Sequence, residues 1–423
     1  MIEEILLVLF SFMIVLYSSW LILFFTPRRR APAEPIFPPV SVILPAHNEA
    51  GIIRESIQNA LDSDYDGVKE VIVVDDGSTD DTAALVKQVM SSDSRLNLIS
   101  LDHGGKSNAI NTALNEAKGE IVVVVDADSK LNADALVKLV APFSDERVGA
   151  VSGVIRAIVN NNILVWFQDL EYLMSSTWRL ICDKLDSTYL LPGFTAFRKS
   201  ALIEIGGFTR DTLSEDFEVG LRLRKAGYRM LMADAVMYTH VPQDIKSLLR
   251  QRFRWGRGTI QVVKKHSDVP FNPQYGAIGF YGIPTQLYWF IHGFIALPIS
   301  LYQITNGYII YFAKYSDYLS FSVLKYFFGW ISLYGMVEYS YNTLTGVYPM
   351  TTVFIFCFTS FLLGLSYNLL SILRWTRITW RHLLAIFFFF PYSIMALIAF
   401  ITPLILELNP FSKRKENINI WEK

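Results

Sequence analysis

Acidic residues recur in this chain where runs of β-branched residues stop. VIVVDDGSTDDT at 71–82 carries Asp75-Asp76-Gly77-Ser78, VVVVDADS at 122–129 carries Asp126-Ala127-Asp128, and LSEDFEVG at 213–220 sets Glu215-Asp216 ahead of a helical pattern. In an open α/β sheet ligands bind at the carboxyl ends of the strands, so carboxylates delivered there are placed for chemistry. Strand side chains alternate, which puts Asp126 and Asp128 near one edge with similar direction, a pair suited to a hard divalent cation bridging diphosphate oxygens. The plain alternative is a strand that stops in a polar turn, which Asp often begins.

Pro45-Ala46-His47-Asn48-Glu49 ends an earlier strand in the same way. Two neighbouring strand ends bearing carboxylate and amide groups, Asn48 and Glu49 on one and Asp76 on the other, make a pocket for a base edge and a ribose. Asp75 to Thr82 taken alone reads equally as a turn with a helix cap. Gly104-Gly105-Lys106-Ser107-Asn108 opens a helix with glycines and a lysine, where a phosphate can meet backbone N–H groups and a point charge. Ser214-Glu215-Asp216 precedes the amphipathic pattern FEVGLRLRKAGYR. An N-cap with acids in the first turn is ordinary helix chemistry, and a general base at Asp216 is the sharper reading.

The elements that must hold these groups are of two kinds. A chain of 423 residues that is 52% hydrophobic, with a mean hydropathy of +0.31, exceeds one ordinary domain and keeps part of itself in lipid. Ile5 to Phe25 is uncharged and apolar, preceded by Glu3-Glu4 and followed by Arg28-Arg29-Arg30, the reverse of a signal peptide. It reads as an uncleaved anchor over 1–26, and the positive-inside rule puts the chain after the arginines in the cytoplasm. PRRRAPAEPIFPP at 27–39 has five prolines and reads as an extended linker. From Val40 to about Asp244, short runs (SVILP, EVIVVDD, NLISL, EIVVVVD, GAVSGV) alternate with helical patterns. That predicts an α/β domain around a largely parallel sheet, cytoplasmic, within 27–244.

Ile245 to Lys265 mixes Leu248, Phe253, Trp255 and Ile260 with Arg250, Arg252, Arg254 and Arg257. This suits an amphipathic helix at the lipid headgroups over 245–275. Apolar segments near 278–302, 321–340, 350–373 and 383–406 predict a transmembrane bundle within 276–406, ahead of a cytoplasmic tail at 407–423 that includes SKRK at 412–415. One crossing each would put RWTRITWRH at 374–382 outside, against the positive-inside rule, so either that stretch is interfacial and one segment re-enters or the count is off by one. The net charge of −1 argues against nucleic acid. Cys182 and Cys357 make neither a disulfide framework nor a metal cluster. No internal repeat and no sign of oligomeric state is visible.

Taken together, Asp76, Asp126-Ala127-Asp128, Glu215-Asp216 and Gln251-Arg252-Phe253-Arg254-Trp255 resemble the membrane-bound inverting glycosyltransferases of family 2, the hyaluronan, chitin, cellulose and poly-N-acetylglucosamine synthases. The resemblance covers roughly residues 40–260 and implies a GT-A fold with a Rossmann-like mixed sheet. It implies Asn48, Glu49, Asp76 and Lys106 around uridine diphosphate, Asp126 on the donor, and Asp128 with Asp126 on Mg2+ or Mn2+. Asp216, beside Glu215, would deprotonate the acceptor hydroxyl, and Gln251, Arg254 and Trp255 would close over the diphosphate and the acceptor sugar. Physical reasons run alongside. Displacing a diphosphate calls for a cation and one base, while Trp255 offers a flat face to a sugar and Arg254 a forked donor to phosphate.

Ser214 stands where the family usually has threonine, and Pro192-Gly193-Phe194 matches the acceptor-side motif of hyaluronan and chitin synthases at Gly193 but not in order. The motif QRFRWGRG is closer to poly-N-acetylglucosamine and cellulose synthases. Gln168, Glu171 and Trp178 read as core packing or as acceptor contacts. The expectation is a multi-pass plasma-membrane enzyme that extends a β-linked polysaccharide from a UDP-sugar, with UDP-N-acetylglucosamine the leading donor, and passes the growing glycan across its own spans. The alternatives are a non-processive transferase with a lipid acceptor and an inactive membrane sensor or assembly partner.

Overall fold

The structure is a computed structural model that describes residues 2–28, 36–67 and 69–408. Most of the linker expected at 27–39 and all of the basic tail at 412–415 lie outside the described residues.

Among the described residues the β-branched runs form eight strands: β1 (Val40–Ala46), β2 (Lys69–Asp76), β3 (Leu96–Leu101), β4 (Ile121–Val125), β5 (Ser129–Leu131), β6 (Val148–Ala157), β7 (Phe194–Arg198) and β8 (Arg229–Thr239). Every residue of β1 and of β4 is buried, as strands covered on both faces require. They make one sheet in the order β3-β2-β1-β4-β7-β6-β8-β5. The first four strands are parallel, β7 runs antiparallel to both its neighbours, and β5 is antiparallel to β8. β1 and β4 meet where the strand order reverses, so their carboxyl ends open a crevice.

Alternation along the strands gives the sheet two apolar faces. Val42, Leu44, Val71 and Val73 pack against α2 (Ile53–Leu61), α3 (Thr82–Met90) and α5 (Ala135–Val140). Ile43, Ile72 and Val122 face α4 (Lys106–Glu116), α6 (Ile163–Lys184), α7 (Lys199–Glu204) and α8 (Glu215–Lys225). That second core continues without interruption into Trp20 of α1 (Ile2–Phe25) and Tyr367 of α13 (Thr352–Trp375). The ends of α1 and α13 share one anchor: Arg28 and Arg374 pair with the two carboxylate oxygens of Asp234 on β8, at 2.8 and 2.6 Å.

After the sheet come α9 (Ile245–Lys265), α10 (Ile283–Tyr311), α11 (Phe321–Ile331), α12 (Leu333–Leu344), then α13, α14 (Trp380–Phe387) and α15 (Phe389–Leu408). Among the described residues, four stretches are long and apolar enough to cross a membrane: Ile2–Phe25, Ile278–Tyr315, Thr352–Trp375 and Phe389–Glu407. The single span expected at 321–340 is instead two helices broken at Ser332, whose backbone is extended. At about 1.5 Å per residue each reaches roughly 16–18 Å, about half a bilayer core. They fold back on each other, bringing Lys325 within 2.5 Å of Glu338. The apolar segment expected at 383–406 begins in α14 and breaks before α15. α15 runs beside α9, tied by Arg252 to Tyr392 at 3.0 Å and by Arg257 to Glu407 at 2.7 Å. It crosses α10 near Phe290, whose ring stacks on Phe400 at 4.5 Å.

Candidate active site

β1, β2 and β4 deliver their polar ends to the crevice, but the two ends of it differ. At the β1–β2 end, Asp76 is fully buried, and its two carboxylate oxygens accept the N–H groups of Gly104 and Gly105, both at 2.8 Å. Asn48, in the left-handed region at φ 56°, accepts from Thr79 N at 2.8 Å. Both groups therefore brace the loops that shape this end. The backbone carbonyl of Asp76 lies 2.8 Å from His47 Nδ1 and 3.1 Å from His103 Nδ1, and the two imidazoles stand 4.4 Å apart. His47, Asp76 and His103 have ligand atoms within 4.8 Å of one another, a grouping of metal-binding type. Glu49 is buried and lines the adjoining cavity.

At the β4 end charges crowd together. Lys106, at the first position of α4, lies 2.6 Å from Asp126 Oδ1 and 3.4 Å from Glu215 Oε1. Burial opposes its charge, but Asp126 first and Glu215 next outweigh that and hold the ammonium above its usual range. Gly193 is pressed against Asp126: a Cβ there would collide with Asp126 Oδ2, so a side chain would push the carboxylate aside. Asp128 Oδ1 accepts from Thr239 Oγ1 at 3.2 Å, which fastens it to the end of β8. His240 comes next in the chain and faces the same cavity. It was not among the residues expected from the sequence, although a polar residue just past a strand is the signal that singled out Asp126.

Asp216 sits in the first turn of α8 with its Oδ1 accepting Phe217 N at 2.8 Å. Burial pushes its carboxyl up to about 7, with Glu215 adding to the rise and Lys106 opposing it. A carboxylate with that value is half ionised near neutrality, where a general base works best. α9 closes over this turn. Leu213 N donates to Gln261 Oε1 at 3.0 Å, and a Cβ on Gly258 would collide with Ser214 Oγ, so only glycine lets the helix come so near. Fully buried Glu218 joins α8 to α9 through Lys265 at 2.6 Å.

Gln251, Arg254 and Trp255 of α9 line the same cavity as Lys106, Asp126, Asp128, Gly193, Glu215 and Asp216. Of the aromatic helix α6, Glu171 and Trp178 also line it, whereas Gln168 is fully buried and donates to Pro242 O at 2.8 Å. The cavity measures about 2390 Å³ and continues past Trp289, Gln303 and Tyr311 of α10 to Lys325, Glu338 and Asn342 of α11 and α12.

Comparison with known proteins shows what the domain resembles. The glycosyl transferase family 2 model matches residues 41–206. The chain is 30% identical over 232 residues to the poly-beta-1,6-N-acetyl-D-glucosamine synthase of Staphylococcus aureus strain MSSA476, covering 53% of this chain and 55% of that one. It is 33% identical over 246 residues to an N-acetylglucosaminyltransferase of Bradyrhizobium diazoefficiens, covering 54% and 50%. The chain thus spans about half the length of the curated relatives it matches. Among solved structures, a mannosyltransferase from Pyrobaculum calidifontis in complex with GDP-Man and Mn2+ superimposes with a TM-score of 0.59 at 24% identity, covering 89% of this chain and 99% of that one. Residues 41–206 thus match the glycosyl transferase family 2 model, and they stand on a sheet of GT-A fold joined to apolar helices.

Proposed function

We propose that this protein transfers N-acetylglucosamine from a UDP donor to the end of a growing β-linked glycan, by a single displacement that inverts the anomeric carbon, and leads the product along its own helices. The observation that carries the reading is the continuity of the cavity from Asp126 and Asp216 past Trp255 to Asn342 on the apolar helices. The names of the two relatives supply the sugar.

In the reaction the acceptor oxygen bonds to the anomeric carbon as the bond to the diphosphate oxygen breaks, and the hydroxyl proton passes to Asp216. Lys106 and Arg254 supply positive charge to the diphosphate, and Trp255 gives the acceptor ring a flat surface. Asp126, Asp128 and His240 suit a divalent ion, since carboxylate oxygens are hard donors and the added imidazole extends the choice from Mg2+ to Mn2+. Such an ion, when bound, neutralises the leaving diphosphate.

Asp234 fastens the ends of α1 and α13 to the sheet on one side, which we read as the cytoplasm. α15, held along α9 by Arg252 and Arg257, is read as lying with it at the membrane surface rather than crossing. Arg374, Arg377 and Arg381 then stay cytoplasmic, as the positive-inside rule asks. A lipid acceptor is the second reading, favoured by the apolar wall that Leu6, Phe10 and Met13 of α1 give the cavity. The deciding experiment supplies purified protein with radiolabelled UDP-N-acetylglucosamine, with and without Mg2+ or Mn2+, and sizes the products. Metal-dependent long polymer is expected. A single-sugar glycolipid would select the second reading, and undiminished turnover in excess chelator would remove the ion.

A further inference from the structure

We propose that Glu171, Arg252 and Tyr392 form a positioning triad that fixes the indole of Trp255, so that α15 sets how tightly the acceptor is held. The inference rests on the reading of Trp255 as the acceptor's platform. Within the QRFRW segment the two arginines part company. Arg254 is exposed and lines the cavity, while the Arg252 side chain is 2% exposed. A guanidinium removed from water must be compensated. Glu171 of α6 does so, with Oε2 at 2.6 Å from Arg252 Nη2. The hydroxyl of Tyr392 accepts from the same Nη2 at 3.0 Å and donates to the same Glu171 oxygen. Phe167 of α6 stacks on the Tyr392 ring at 5.2 Å, so the phenol is itself held.

The guanidinium carbon stands 4.3 Å from the centre of the Trp255 ring, within the range of a cation–π contact. Trp255 is only half-buried and lines the cavity. The ring is thus backed by a charge whose place is set by two other helices. Apolar residues of similar volume commonly join helices at least as stably as a buried ion pair, so helix packing alone gives no reason for this one. Its position against a cavity-lining indole does. The triad also explains why α15 keeps close to α9: a shift of α15 would carry Tyr392 off Arg252 and leave the platform free to change rotamer.

The test is a double-mutant cycle between Tyr392→Phe and Trp255→Ala in the full-length protein, read as KM for a β-linked oligosaccharide acceptor, KM for UDP-N-acetylglucosamine, and kcat. Tyr392→Phe should raise acceptor KM by about 5- to 10-fold with donor KM and kcat little changed, the pattern of lost acceptor binding. In the Trp255→Ala background the same change should shift acceptor KM by less than about 2-fold, because coupled residues are not additive. Full additivity, or a parallel loss of kcat and thermal stability, would overturn the triad. Should Tyr392→Phe fail to fold, Arg252→Lys, which keeps the charge but loses the fork, carries the same expectation. If the products are glycolipid, the cycle is run with the lipid acceptor, so an error about the product and an error about the triad give different results.

Discussion

The strand-end crevice and the helical stretch of the same cavity treat charge in opposite ways. In the crevice Lys106, Asp126, Glu215 and Asp216 are packed so closely that Asp216 is pushed up to about 7 while Lys106 is held in its charged form. Along the helices the wall offers Trp289, Gln303, Tyr326, Trp330 and Asn342, with Lys325 and Glu338 closed on each other at 2.5 Å. Chemistry on a diphosphate needs charges moved from their ordinary values by burial and by neighbours. Under the proposed function a neutral glycan passing along the helices would need polar contacts that do not grip, and an ion pair satisfied within the wall would be such a contact.

Four changes press on that contrast. Asp216→Asn keeps the shape of the crevice but removes the proposed proton acceptor, and should cut turnover by about 100-fold or more while UDP affinity stays within about 2-fold. A collapse of nucleotide binding would make Asp216 a binding residue instead. Gly193→Ala drives a methyl into Asp126, and a displacement on that scale should lower turnover by roughly 10- to 100-fold with circular dichroism unchanged. Wild-type turnover from that variant would mean that the Asp126 position is not critical.

The acidity of Asp216 gives a milder lever. A base must be ionised to take a proton, and the ionised fraction is lost as pH falls through about 7. The rate should therefore drop by about tenfold per unit below that point and level above it, a limb absent from Asp216→Asn. A flat profile from pH 5 to 8 in the wild type would contradict the assignment. The smallest effect belongs to the helices. Lys325→Met strands Glu338 and should shorten polymer by about 2- to 5-fold without slowing single transfer to a short acceptor, and the exchange Lys325→Glu with Glu338→Lys should restore length. An unchanged length distribution would take this pair out of the path.

Local pattern made much of this legible. The end of each β-branched run marks the carboxyl end of a strand, so Asp76, Asp126 and Asp128 could be put at the edge of a sheet before any neighbour was known. Apolar length marked α1 and α13 in the same way. Pattern failed at 321–340, where composition suits a span but Ser332 turns the chain back, because a break in a helix depends on partners across it. At Asp76 and Asn48 pattern gave the strand ends but not the neighbours, since the donors to these side chains, Gly104, Gly105 and Thr79, come from loops distant in the chain.

What the sequence determined alone was therefore an α/β sheet, its strand ends and the residue types of the candidate site, since these come from side-chain period and from hydropathy. Tertiary structure alone decided which charges meet. Lys106 and Asp126 are 20 residues apart in the chain and Arg252 and Tyr392 are 140 apart, yet each pair is in direct contact. The raised carboxyl of Asp216, the backing of Trp255 and the entry of His240 to the cavity all come from burial and proximity, and both depend on distance in space, which no spacing along the chain encodes.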